Sequence, residues 1–514
     1  MLKKNNILAL LAALPLLLAA AGCKKFLEVS PQGQLTEEEI LSNPDAAKDL
    51  VNGVYNTLYF GGFDKNTVGF LWVMMTDVPS DDSDKGSFDA DFGPAREVDN
   101  FTHTPNNFIF DNVWRGYYAG IARANQALDK LEASTFDAAT KNRLIGEVRF
   151  IRGLYYFNLV RAFGGVPKIL RVPNATEANT DEFQTRASKQ EIYNVVMQDL
   201  QFAVDNLPMK GDPATQTGRA TKGAAQALLS KVYLYQQNWQ KAFDLSRDVI
   251  NSGKYSLADY STMFRQTNTN SSEMIFEVQT GETANCNAVS PLFSNGQGPR
   301  GGSTPPRTGG WNDLGFGLNT PTQNLASAYE ANDVRRNATI IFINPTTTPG
   351  GPGNTGTILY DGFRVPTQDS VENERYNYKA YAPTLGSGPC AGNKDMKPKN
   401  IPLIRYAEVL LIYAEAAAML GQGGEALDKL RMVRNRAGLL STTSATQADI
   451  WKERRVELAM EQDRFFDLVR QGRAGTVLRA HGKTNFTDGK HEVFPIPQAQ
   501  RDLSGGRLTQ NPGY

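Results

Sequence analysis

Cys23 directly follows Ala20-Ala21-Gly22, at the end of an apolar run from Ile7 to Ala21 that starts after Lys3 and Lys4. Basic residues, a short apolar stretch and then small residues form the layout of an export leader. The run is too short for a membrane-spanning helix, which needs roughly 20 residues, and Pro15 interrupts it. A cysteine at this point adds a specific chemistry. Its thiol takes a diacylglycerol, the leader is cut before it, and the new N-terminus carries the lipid. Ala20 stands where Leu is more usual. The expectation is a mature chain that begins at Cys23 and stands on a membrane surface without crossing it; a plain secretory leader with a chance cysteine is the alternative.

Other residues that could do chemistry are sparse. His103, His481 and His491 are the only histidines, and none has the spacing of a zinc site. Asp82-Ser83-Asp84-Lys85-Gly86 starts like a calcium loop but lacks the later oxygen ligand and the terminal glutamate. Gly482-Lys483-Thr484 mimics the end of a phosphate loop, yet Val477 stands where the first glycine must be. No nucleophile-elbow pattern occurs. Glu453, Glu457 and Glu461 recur every four residues and would repel without cations. Arg454, Arg455 and Arg464 can supply them, which reads as a structural ion network rather than an acid/base pair. No catalytic residue, metal site or cofactor is expected.

Lys+Arg and Asp+Glu both total 54 in 514 residues, and 40% of residues are hydrophobic. A core can form, and no basic stripe calls for nucleic acid. Of the three cysteines, Cys286 and Cys390 lie in loop-like sequence and either pair or stand as free thiols. After a tether at 23–36, helical periodicity marks about 44–58, 111–131, 137–163 and 188–206. Gly164-Gly165-Val166-Pro167 ends the third of these. Tyr117, Tyr118, Tyr155 and Tyr156 fall on these helices and read as core. Two tight pairs follow, about 219–236 with 239–252 and about 403–420 with 424–436, whose Tyr233, Ala242 and Ala426 sit near tetratricopeptide-type positions. A long helix is expected from about 447 to 471. Residues 61–110 and 253–400 are irregular, with a short strand at Met274–Val278 and a helical piece near Thr322–Glu330. Aromatics in 253–400 (Phe293, Trp311, Phe316, Tyr360, Phe363, Tyr376, Tyr378) argue against disorder there, and 61–110 carries Phe63, Phe70, Trp72, Phe88 and Phe92. The chain thus divides into a leader (1–22), the tether, an N-terminal helical region (37–252), a loop-rich insertion (253–400) and a C-terminal helical region (401–514), with 37–514 as one unit.

Five motifs in order then carry a resemblance. They are Cys23-Lys24-Lys25-Phe26-Leu27; Glu147-Val148-Arg149-Phe150-Ile151-Arg152-Gly153 running to Gly164-Gly165-Val166-Pro167; Arg405-Tyr406-Ala407-Glu408 with Val433-Arg434-Asn435-Arg436; Glu453-Arg454-Arg455-Val456-Glu457-Leu458 with Arg464-Phe465-Phe466-Asp467-Leu468; and Gln510-Asn511-Pro512-Gly513-Tyr514. Across nearly the whole mature chain the sequence resembles the SusD/RagB-like outer-membrane lipoproteins of the Bacteroidetes. The resemblance implies a mostly α fold: four degenerate tetratricopeptide-type helix pairs in a right-handed scaffold, bearing an irregular binding region. It also implies an outward-facing, lipid-anchored lid on a SusC-type TonB-dependent transporter of the outer membrane, capturing a nutrient, most often an oligosaccharide, without cutting it.

A sugar offers C–H faces to an aromatic ring and hydroxyl edges to polar side chains. Trp72 and Trp311 lie in irregular sequence and are the expected platforms, with Asp81, Asp82, Arg300, Asn312 and Asp313 as polar partners. The same lid could take a peptide. An exported glycan hydrolase would need two carboxylates facing across a cleft, and an adaptor would bind only protein. On the sugar reading, replacing Trp72 and Trp311 together by Ala weakens glycan binding and leaves the helical signal intact.

Overall fold

The computed structural model describes residues 36–280, 292–301, 314–345, 356–383, 397, 399–440 and 442–514. Helix starts follow from local chemistry. Asn43 accepts from the Asp45 amide at 2.9 Å ahead of Pro44, and Ser188 and Glu191 cap each other's backbone. Gly164, at φ 72°, stops helix Ala138–Phe163. Helix Pro44–Tyr55 packs on Phe108–Ala133, Ala138–Phe163 on Lys189–Asn206, Lys222–Tyr235 on Trp239–Asn251, and Tyr406–Met419 on Gly423–Arg436. Each pair touches the next, through 108–133 with 138–163, 189–206 with 222–235 and 239–251 with 406–419. The outcome is a stack of four helix pairs and a mostly helical protein. One apolar core runs through it from Ala47 to Leu508. No helix among the described residues is long and apolar enough to cross a membrane.

The irregular stretches hold more order than periodicity showed. Residues 61–110 contain helix Phe70–Thr76, in which all seven residues are buried. A helix that is apolar all round has no amphipathic stripe to detect. Strand Met274–Val278 pairs antiparallel with Ile401–Arg405. Asp84, in the middle of the calcium-like segment, sits in strand Ser83–Gly86, whose partner is Leu318–Pro321. Strand Ile340–Phe342 pairs with Arg375–Asn377, and a second apolar cluster gathers Leu314, Ile341, Val365, Tyr376 and Tyr381.

The single helix expected over 447–471 is two, Gln447–Glu457 and Arg464–Arg470. Met460 and Gln462 between them adopt φ of 64° and 67°. The break lets the turn present its polar groups inward. The Gln462 amide donates to Asp77 at 3.1 Å, and Asp463 meets Arg161 at 2.8 Å, Lys231 at 2.8 Å and Arg454 at 2.9 Å. The expected ion network is present, with different cations. Arg405 reaches Glu273 at 2.7 Å, Glu457 at 2.5 Å and Glu461 at 2.6 Å. Arg335 reaches Glu453 at 2.6 Å and Glu457 at 2.9 Å. Arg436 bonds Glu273 and Glu457, and Lys379 bonds Glu461. Burial pushes the Glu457 carboxyl up, but Arg436, Arg405 and Arg335 outweigh it and hold the group well below the usual range. Arg454 instead serves Glu408 and Asp467.

His103, His491 and the phosphate-loop mimic pack into the structure. The rings of His103 and His491 lie 5.5 Å apart in the core, where burial pushes His103 down to about 3 and His491 to about 4. Among the described residues no group of His, Cys, Asp and Glu is placed to hold a metal ion. Lys483 donates to the carbonyls of Val78 at 2.5 Å and Ser83 at 3.0 Å.

Breaking a buried pair strands the partner charge and costs about 3–5 kcal/mol. Arg405→Ala should therefore lose stability on that order in denaturant titrations, by uncovering Glu273, Glu457 and Glu461. Arg171→Ala, which breaks a solvent-exposed pair with Glu177, should leave the midpoint where it is.

Candidate ligand-binding site

Phenylalanines far apart in the chain meet at the surface. Phe63 is 52% exposed and Phe108 36% exposed. The Phe63 ring lies 5.9 Å from Phe70, 6.1 Å from Phe92 and 6.5 Å from Phe108, and Phe70 lies 6.2 Å from Phe316. Local structure sets each one. Phe108 opens its helix under an Asn107 cap. Phe92, at φ 48°, turns the chain into helix Gly93–Asp99.

Arg300 reaches this group through Phe316, whose carbonyl accepts from its Nη1 at 3.5 Å. Its guanidinium carbon is 4.9 Å from the centre of the Phe88 ring, an attractive cation–π distance, and its Nη2 is 2.9 Å from Asp91. Both side chains keep an exposed share, 25% for Arg300 and 32% for Asp91. Asp91 also accepts from the Ser87 hydroxyl at 2.8 Å, and the Ser87 amide donates to Asn373 at 3.0 Å. The backbone under this rim is tight. A Cβ on Gly315 would fall 2.2 Å from the Asn295 carbonyl oxygen, so only glycine fits, and the Phe316 amide donates to that same oxygen at 2.8 Å. The rim thus offers apolar ring faces next to a self-neutralised ion pair with hydrogen-bonding edges. Such a surface suits a ligand with C–H faces and hydroxyls better than one with net charge.

Of the residues expected from sequence, Arg300 is at this rim. Trp72 is not. It is 2% exposed, packed 5.5 Å from Tyr117 and 5.7 Å from Phe466 within the apolar helix Phe70–Thr76, so its ring faces are spent on the core. Asp81 and Asp82 are also corrected: both are buried and engaged by arginines, Asp81 by Arg464 at 2.8 Å and Asp82 by Arg455 at 2.7 Å. Trp311, Asn312 and Asp313 lie outside the described residues, as do Cys23, Cys286 and Cys390. The aromatics at 360–381 form a second group, but Arg265 already covers it, 3.8 Å from the Tyr378 ring centre and 4.6 Å from that of Tyr360. Phe63, Phe88 and Phe92 were visible as aromatics in irregular sequence; Phe108 and Asp91 had no signal of their own.

A buried polar lock fastens the rim to the helices. Asn319 donates to Gln297 at 2.8 Å and accepts from Ser83 at 2.5 Å, and Asn377 donates to the same Gln297 oxygen at 2.8 Å. Asp77 receives the Gln462 amide and, at 3.4 Å, the Asn319 side chain. Burial raises the Asp77 carboxyl to about 7.

Comparison with known proteins places this arrangement. The SusD family model matches residues 239–514, and a second model, described as starch-binding associating with outer membrane, matches residues 25–234. The chain belongs to the SusD family. A SusD-like protein P2 of Formosa agariphila is 27% identical, over 97% of this chain and 98% of its own. Among solved SusD-family structures, a laminarin-binding SusD-like protein is 31% identical with a TM-score of 0.73, covering 91% of this chain and 99% of its own. Surface glycan-binding protein A from Bacteroides fluxus is 25% identical with a TM-score of 0.73, covering 92% of this chain and 100% of its own.

Two outcomes follow from the corrected positions. Trp72→Ala should cost about 3–5 kcal/mol of stability through a core cavity, read by thermal or denaturant unfolding, so any lost ligand binding in that variant would reflect unfolding. Asp77 keeps its proton to about pH 7 when folded and releases it near 3.8 when unfolded. Its contribution therefore disfavours the fold increasingly as pH rises from about 4 to 7, and stays constant above. Asp77→Asn should raise the unfolding midpoint relative to wild type more at pH 8 than at pH 5.

Proposed function

We propose that this SusD-family chain binds a neutral oligosaccharide at the Phe63–Phe108 rim and delivers it without bond chemistry. The observation that carries the reading is the Arg300–Asp91 pair, over the half-buried Phe88 ring and next in chain to Phe92, whose ring packs on the exposed Phe63 and Phe108. The pair brings donors and acceptors but no net charge. The description of the family model that matches 25–234, starch-binding associating with outer membrane, and the laminarin binding of the 31% identical relative support a glycan and the outer membrane. Trp311, Asn312 and Asp313 are proposed as further contacts, since their segment joins Gly301 to Leu314 next to Arg300. Catalysis is set aside on the rim's chemistry: Asp91 is engaged by Arg300 and Ser87, which leaves it poorly suited as a free general acid. The fuller reading is a lid held by a lipid on Cys23 over a SusC-type TonB-dependent transporter. It rests on the leader sequence and on the family resemblance.

Calorimetric titration with laminari-oligosaccharides, with peptides as a second panel, tests the reading. Phe63→Ala and Arg300→Ala should each weaken sugar binding about tenfold, near 1.4 kcal/mol, with the helical signal unchanged, and prolonged incubation should release no shorter sugars. Binding of peptides alone, or wild-type affinity in both variants, would overturn it.

A further inference from the structure

A second concavity lies where helix Pro44–Tyr55 and the turn after it face the 210–219 loop and strand Met274–Val278. Two adjoining clefts, of about 280 and 310 Å³, share residues 216–219 and Glu277 as a common wall. The loop lies flat on the strand because residue 218 is glycine: its φ is 85°, and a Cβ there would fall 2.3 Å from Gln279 Cγ. Tyr55 and Tyr59 line the second cleft, and both are half-buried.

The polar groups of this cleft are held in place. Arg219 donates to Glu147 at 2.6 Å, to Gln216 at 2.7 Å and to Asn52 at 2.5 Å. Lys210 donates to the Met274 carbonyl at 3.1 Å. Glu277 accepts through one oxygen from the Asn270 amide at 2.7 Å and from Asn400 at 3.3 Å, and burial shifts its carboxyl toward the neutral form. Gln279 and Asn270 hold each other's amides at 2.9 and 3.0 Å. What faces a ligand is therefore a set of fixed amides and hydroxyls with tyrosine rings, with the Lys210 ammonium and the Glu277 carboxyl as opposite charges on one wall. A preorganised polar wall of this kind fits an uncharged polyol.

The cleft adjoins the aromatic rim along the chain. Tyr59 and Phe63 are four residues apart, a reach of at most about 14 Å. We propose that this cleft is a second sugar subsite, reached by the far end of an oligosaccharide whose other units lie over Phe63. This deepens the glycan reading and rests on it. Two weak subsites on one chain raise affinity for long ligands and leave short ones unaffected.

The test uses laminaribiose and laminarihexaose as probes with the full chain. Thr217 is exposed on the cleft wall, and Thr217→Trp fills the space without touching the scaffold; Tyr59→Ala removes a ring instead. Both variants should bind laminarihexaose about fivefold or more weakly than wild type and laminaribiose as wild type does, with unchanged circular dichroism. Wild-type hexaose affinity in both variants would overturn the subsite while leaving the rim intact. Loss in the cleft variants with no effect of Phe63→Ala would keep the cleft and overturn the rim. Failure of the wild-type chain to bind either sugar would contradict both.

Discussion

Arg405 sits with 2% of its surface exposed between Glu273, Glu457 and Glu461, and the rest of the molecule hangs on what it joins. Glu273 precedes the strand that enters the insertion, Arg405 ends the strand that leaves it, and Glu457 closes the helix before the break. Arg335 and Lys379, both from the insertion, bind Glu453 of that helix and Glu461 just after it. Charges buried this deeply are tolerable only when every one is met. The web therefore specifies where the insertion rests more than it adds stability, because any other placement leaves carboxylates uncovered.

A second consequence concerns the rim. Its residues come from the 61–110 segment, from 293–301 and from 314–317. The strand pair of 83–86 with 318–321 ties them together. The Asn319–Gln297–Asn377 lock then ties the pair to the insertion, and Asp77 with Gln462 ties it to the break between helices Gln447–Glu457 and Arg464–Arg470. Three glutamates of the web, Glu453, Glu457 and Glu461, and the polar turn that fixes the rim belong to one stretch of chain, 453–470. A surface fastened this way is preorganised, so a ligand need not supply the ordering free energy itself.

Much of the scaffold was legible in sequence because its signals are local. Asn43-Pro44, the glycines at 164–165 and the apolar stripes of 108–133 and 138–163 announce helices through short-range chemistry. The site was less legible. Trp72 looked like a loop aromatic because an all-apolar helix carries no periodicity, while Phe63 and Phe108 matter through neighbours 45 residues apart. Asp81 and Asp82 read as polar contacts, but their arginines lie at 455 and 464. The cations of the web were misassigned for the same reason: Arg335, Arg405 and Arg436 meet Glu457 only after the chain has folded.

In the proposed role, a rigidly mounted aromatic rim on an ionic scaffold takes a neutral sugar. Amide hydrogen exchange with and without saturating laminarihexaose reads this out at the rim itself. Protection should rise at 61–64, 87–92 and 300–301, with helices 406–419 and 423–436 unchanged. Added protection confined to those scaffold helices, or none at the rim, would contradict it.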